Sequence, residues 1–382
     1  MLKIPFNNPK PDFENFVNVL NGKKETNKVY IAELQIDEEV KRYIIEKYFN
    51  EKNFAPIDMF NNKNIKNYEN ESENENYFRQ LINFYYRMGY DFLADFKFIQ
   101  DYNSLNKTTK VGQDNNYQEL ARKDRHWVQS ESGMIKDWDD FEKFPWDKFS
   151  DFLNEFEKHV IFMKKNLPEG MKLTVVGCVF QAVIHWLLGY EVVFYKIYDD
   201  EKLVEEVFNK IGQITYDYYE IALSFECVGG IFHTDDLGFK SATVFSPEQL
   251  RRFFFPWLKK YASLAHDSKK PFWLHCCGFK DEIINDLIND IKIDALHSFE
   301  DACCPVTKYK KLCGDKIGII GGVDVDKLAR LQGDELRKYI RNILDICLPG
   351  GRFALGSGNS ITNYMPVENY IILLEEGLNY KF

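Results

Sequence analysis

His275, Cys276 and Cys277 close the run Pro271-Phe-Trp-Leu-His-Cys-Cys-Gly278, where strand-forming apolar residues stop at a glycine. Residues two apart in a strand point the same way. His275 and Cys277 therefore project together, and Cys276 projects to the other face. An imidazole beside a thiolate supplies two of the ligands that zinc takes. Acids recur at comparable places: Glu33, Asp95, Asp235 with Asp236, Glu300 with Asp301, and Asp324. Asp235, Asp236 and Glu300 are the candidate catalytic acids, able to protonate a substrate or to complete a metal site. Ser357, Gly358 and Asn359, in Gly356-Ser-Gly-Asn359, have the composition of an anion-cradling turn and are candidates for cofactor binding.

Each of these residues ends a short apolar run. Eight such runs are expected as strands, over 28–34, 89–95, 172–178, 229–236, 271–275, 295–299, 316–323 and 352–357. Helical patterns lie between them, for example over 37–49, 146–165, 305–313 and 333–348. Alternating strands and helices in this number describe a (β/α)8 TIM barrel, in which chemistry sits at the C-terminal ends of the strands. Residues 1–27 read as an N-terminal helical elaboration, with a short amphipathic helix near 12–20, and 1–382 as a single domain. Residues 61–76 are nearly all Asn, Glu and Lys and carry no chemistry. The stretch 99–144 has no clear period and reads as an insertion able to close over a substrate, with Arg122, Arg125 and His126 as contacts.

Composition bounds the function. The 382 residues are 45% hydrophobic and 16% aromatic, enough for a large core. A net charge of −10 leaves no basic stripe to neutralise phosphates, so nucleic acid is not an expected partner. No run of about 18 apolar residues is present, so no membrane helix is expected. Eight cysteines behind an N-terminus that lacks a signal-peptide pattern point to reduced thiols in the cytoplasm.

Several stretches taken in order resemble the uroporphyrinogen decarboxylase superfamily. They are Phe13-Glu-Asn-Phe-Val-Asn-Val-Leu20, Phe144-Pro-Trp146, Thr234-Asp-Asp-Leu-Gly238, Ser246-Pro-Glu248, His275-Cys-Cys-Gly278, Gly321-Gly-Val-Asp324 and Leu355-Gly-Ser-Gly-Asn-Ser360. The resemblance covers most of the chain and implies the same barrel. The decarboxylase itself has an arginine-rich N-terminal segment that grips carboxylates and a histidine in the last strand turn. Residues 1–30 here hold no arginine, and that turn reads Gly356-Ser357-Gly358.

The resemblance is closer to the corrinoid-dependent methyltransferase branch, whose thiol-alkylating members hold zinc with His-x-Cys and a further Cys in the last turn. His275 and Cys277 match the first part, while the third position falls on or near Ser357. Either an acid, Asp235, Asp236 or Glu300, then completes the site, or the metal is absent. A more oxygen-rich site is a harder Lewis acid, suited to a methyl group borne on oxygen or nitrogen. The function implied is zinc-assisted methyl transfer between a small O-, N- or S-methylated substrate and a corrinoid. The corrinoid-binding signature Asp-x-His-x-x-Gly is absent, so the corrinoid is expected on a partner protein. A homodimer is compatible with this reading. The alternatives are a non-classical decarboxylase or lyase, with Asp235 or Asp236 protonating a carbanion-like species, and a non-catalytic corrinoid- or tetrapyrrole-binding protein.

Overall fold

The computed structural model describes residues 4–51, 71–105, 109–113, 124–128 and 133–382. The sequence-based reading of 61–70 and of Arg122 lies outside these residues, as do the side chains of Arg125 and His126.

Seven parallel strands form one continuous ladder in chain order: β1 (Phe92–Asp95), β2 (Lys172–Val175), β3 (Val228–Thr234), β4 (Phe272–His275), β5 (Ala295–His297), β6 (Gly318–Ile320) and β7 (Phe353–Ala354). Helices fill the crossovers. Glu201–Leu223, the longest among the described residues at 23 residues, packs along β3, and Phe255–Asp267 packs on it and on β4. The expected eighth strand, 28–34, is present as a barrel stave but not as a full ladder. It meets the last strand through a parallel bridge at Ile31–Leu355. The Ala32 N–H donates to the Leu355 carbonyl at 2.9 Å, and the Leu355 N–H donates to the Tyr30 carbonyl at 2.8 Å. The chain then bends at Leu34, and a second parallel bridge follows at Ile36–Ile361.

Strand alternation separates two apolar layers. Tyr30, Ala32, Leu34, Phe92, Ala94, Val176, Phe232, Trp273, Ala295, Ile320 and Ala354 fill the barrel interior. Their neighbours, such as Leu93, Leu173, Ile231, Leu274 and Leu296, face the helices. The interior is sealed at the N-terminal ends of the strands by the helix Phe13–Leu20. Its buried residues Phe13, Phe16, Val19 and Leu20 recur at helical spacing. Asp12 caps this helix by accepting the Asn15 N–H at 3.0 Å, while its own N–H donates to Asp91 at 2.7 Å. The Phe16 ring sits 5.3 Å from Tyr30, 5.5 Å from Phe92 and 5.6 Å from Trp273, so it spans the seam between the first stave and β1.

The region expected as an aperiodic insertion holds regular elements. These are the helices Lys97–Asn103 and Trp138–Lys143 and an antiparallel pair, Thr109–Gln113 with Asp124–Val128. Its end is pinned: the N–H groups of Gly133, Met134 and Ile135 donate to the carbonyls of Leu188, Trp186 and Leu187 at 2.7–3.1 Å. The turn it holds, Ala182–Leu187, follows β2 at the C-terminal end of the barrel. Among the described residues no helix is long and apolar enough to cross a membrane.

Candidate metal centre at the barrel mouth

The register of three adjacent strands assembles the site. Thr234 of β3 stands level with His275 of β4, which stands level with His297 of β5. Phe232, Trp273 and Ala295 face the interior, so residues two and four positions on continue that face. Asp236, His275, Cys277 and His297 therefore converge at the mouth. The ligand atoms of Asp236, His275 and Cys277 all lie within 4.8 Å of one another. His275 Nε2 is 3.1 Å from Cys277 Sγ and 3.4 Å from Asp236 Oδ1. His275 is buried, whereas the Asp236 side chain is 36% exposed and opens the cluster to the outside. Gly278 takes φ +74°, and a Cβ there would stand 2.2 Å from the Gly238 carbonyl oxygen. The chain can turn straight after Cys277 only because residue 278 is glycine.

Neighbouring groups fix the cluster. Gln181 Nε2 donates to Asp236 Oδ2 at 2.6 Å, and the Cys277 N–H donates to Asp236 Oδ1 at 3.3 Å. Asn359 Nδ2 donates to Cys277 Sγ at 3.0 Å, with Ser298 Oγ 3.5 Å from the same sulfur. Burial works to raise the Asp236 carboxyl, but the hydrogen bond and charge of a protonated His275 and the bonds from Cys277 outweigh it and hold the group at about 2. Burial pushes the Cys277 thiol well above its ordinary range, and the charge of Asp236 adds to that. A cation bound between the two would reverse this preference, because a metal takes the thiolate.

The other expected acids lie elsewhere. Asp235 has the opposite parity to Asp236 and points to the helical layer, fully buried. It lies 2.7 Å from His233 Nε2 and accepts the N–H groups of Val179 and Gln181 at 3.0 and 2.8 Å. His233 in turn meets the Tyr219 hydroxyl at 2.7 Å. Asp235 therefore anchors the turn that carries Gln181, while Asp236 faces the cluster. Glu300 folds into a local turn: its carbonyl accepts the Cys304 N–H at 2.8 Å, and its carboxylate lies 3.6 Å from Cys303 Sγ. Glu300 is not part of the three-residue cluster. Asp324 caps the helix Val325–Arg330. Asp95 pairs with His159 at 2.8 Å, both buried.

The turn after the last strand also departs from expectation. The Ser357 N–H donates to Glu33 Oε1 at 2.7 Å, and Ser357 Oγ lies 2.5 Å from Glu33 Oε2. The Gly358 N–H donates to the Val323 carbonyl at 2.6 Å. Both backbone donors are engaged within the fold, so neither is left for an anion. Of the three residues in that turn, Asn359 alone reaches the cluster. Gln181, Ser298 and His297 were not expected at the site. His297 could have been found, because it continues the interior parity of Ala295, whereas Gln181 carries no periodic signal.

Residues 133–378 match the family model of uroporphyrinogen decarboxylase. Among solved structures, the fold is similar to a methyltransferase from Methanosarcina mazei at 15% identity, with a TM-score of 0.62, covering 95% of this chain and 96% of that one. It is also similar to a B12-independent methionine synthase from Shewanella sp. W3-18-1 at 11% identity, with a TM-score of 0.50, covering 93% and 96%. At these identities the likeness is one of fold. No curated protein matches the chain.

Proposed function

Because the chain belongs to the uroporphyrinogen decarboxylase family, we propose that its barrel mouth is the zinc centre of a methyltransferase. In this reading the enzyme moves a methyl group between a small O-, N- or S-methylated substrate and a corrinoid carried by a partner protein. The observation that supports it is the convergence of one carboxylate, one imidazole and one thiol, with ligand atoms within 4.8 Å of one another.

Nitrogen, sulfur and oxygen are the ligand atoms zinc accepts, and three protein ligands with an open position is the pattern of catalytic sites. Asp236, His275 and Cys277 fit that set, and Asp236 provides the oxygen that the replacement of the family's last-turn cysteine calls for. Zinc held there would act as a Lewis acid on the heteroatom bearing the methyl group. The chain's own residues do the rest. Gln181 orients Asp236, and Asn359 donates to Cys277 Sγ and withdraws charge from it. The half-open carboxylate leaves the approach from the mouth free.

Protein purified without added metal is expected to carry about one zinc per chain, and Cys277→Ala to lose it. The full chain is expected to consume a methylated donor only when reduced free cobalamin is supplied. A wild-type protein that neither holds nor takes up zinc would sink the metal reading. Carbon dioxide release from carboxylated candidates without cobalamin would replace transfer with a lyase. Tight corrinoid binding without turnover would replace it with a binding protein.

A further inference from the structure

A second histidine lies behind the cluster, and its hydrogen bonds leave one arrangement of hydrogens. His297 Nε2 is 3.3 Å from the Ser357 carbonyl oxygen. A carbonyl only accepts, so Nε2 must carry a hydrogen. The ring is fully buried, which disfavours a charged imidazolium. A neutral imidazole with hydrogen on Nε2 has a bare Nδ1. That Nδ1 lies 2.7 Å from His275 Nδ1, so His275 must supply the hydrogen between them. In the neutral ring that a metal requires, His275 Nε2 is then the bare nitrogen, and it is the atom 3.1 Å from Cys277 Sγ and 3.4 Å from Asp236 Oδ1.

We propose that His297 is a positioning residue: it accepts the Nδ1–H of His275 and thereby presents the bare Nε2 of His275 to a metal. The metal half of this statement rests on the zinc reading above; the hydrogen assignment does not. The surroundings hold His297 in place from three sides. Phe232 packs edge-on at 5.7 Å between ring centroids. Ser357 is clasped by the Glu33 carboxyl through both its N–H and its hydroxyl. Gly321 adopts φ +88°, and a Cβ there would stand 2.3 Å from the Ser357 carbonyl oxygen and 2.8 Å from His297 Cδ2. The first stave, the last strand and the glycine after β6 thus all bear on one ring nitrogen. A ligand histidine whose other nitrogen is held by a hydrogen-bond partner is oriented and fixed in tautomer, and loss of such a partner weakens metal binding by about 10–100-fold.

A histidine that merely packed would be replaceable by phenylalanine without consequence for His275, which gives the test. Wild-type protein labelled with 15N-histidine, stripped of metal and held at a pH above the histidine range, is expected to show His275 with hydrogen on Nδ1, the resonance being assigned by its loss in His275→Gln. A bare Nδ1 overturns the proposal. Zinc affinity, read by chelator competition on the full chain, is expected to fall about 10–100-fold in His297→Phe. His297→Gln, which retains an acceptor and a donor, is expected to recover most of it. Wild-type affinity in a folded His297→Phe protein overturns the proposal. If His297→Phe does not fold, the wild-type spectrum still decides. Wild-type protein that binds no zinc but shows the Nδ1 hydrogen removes the zinc reading and leaves the role of His297 standing.

Discussion

Two adjacent aspartates differ in role because strand parity places them on opposite faces. Asp236 faces the interior with His275 and Cys277, while Asp235 faces the helices and is fully buried beside His233. The variants should separate cleanly. Asp236→Asn is expected to weaken zinc binding by at least about tenfold with little loss of stability, since its side chain is partly open. Asp235→Asn is expected to cost about 3–5 kcal/mol, because it removes one member of a buried pair that also holds two backbone N–H groups. Its zinc affinity per folded molecule should fall less than that of Asp236→Asn. Chelator competition and denaturant titration measure the two quantities, and equal effects in both variants would contradict the assignment.

The helix Phe13–Leu20 is the element on which closure of the barrel floor depends. Phe16 touches the first stave, β1 and β4 at once, where no strand ladder is recorded between 29–34 and Phe92–Asp95. Phe16→Ala leaves a cavity beneath Trp273 and is expected to cost about 3–5 kcal/mol in a denaturant titration. The candidate metal cluster lies at the opposite end of the strands, so the zinc affinity proposed for it should stay at the wild-type level. A matched loss of affinity would show that floor and mouth are mechanically coupled.

One buried carboxyl gives the whole molecule a pH signature. Burial raises Glu33 from 4.5 to about 8, against the lowering effect of its two bonds from Ser357. The unfolded chain releases this proton near 4.5, while the native protein keeps it to about 8. Between those values the unfolded state binds fewer protons, so this group makes native stability fall as pH rises, by at most about 1.4 kcal/mol per pH unit. Above about 8 both states are ionised and the contribution is flat. Glu33→Gln is expected to remove this component from a plot of unfolding free energy against pH, and an unchanged slope would place the proton elsewhere.

Local pattern was enough for the barrel, for the shared face of His275 and Cys277, and for the opposite facing of Cys276, which is fully buried in the helical layer. These follow from strand alternation and from runs of apolar residues, both properties of the chain over a few residues. Tertiary structure decided the rest. Which acid completes the cluster depends on the register of β3 against β4, and no local pattern records register between strands far apart in the chain. The Ser357–Gly358 turn looked like an anion cradle because its composition is that of one. Its donors are instead engaged by Glu33 and Val323, the first of them 324 residues away in sequence. The first stave read as a continuous strand from its residues, yet it pairs by isolated bridges, at Ile31–Leu355 and Ile36–Ile361, on either side of a bend at Leu34. Distance along the chain explains these differences: hydrophobic period is written locally, whereas hydrogen-bond partners are allotted only when the barrel closes.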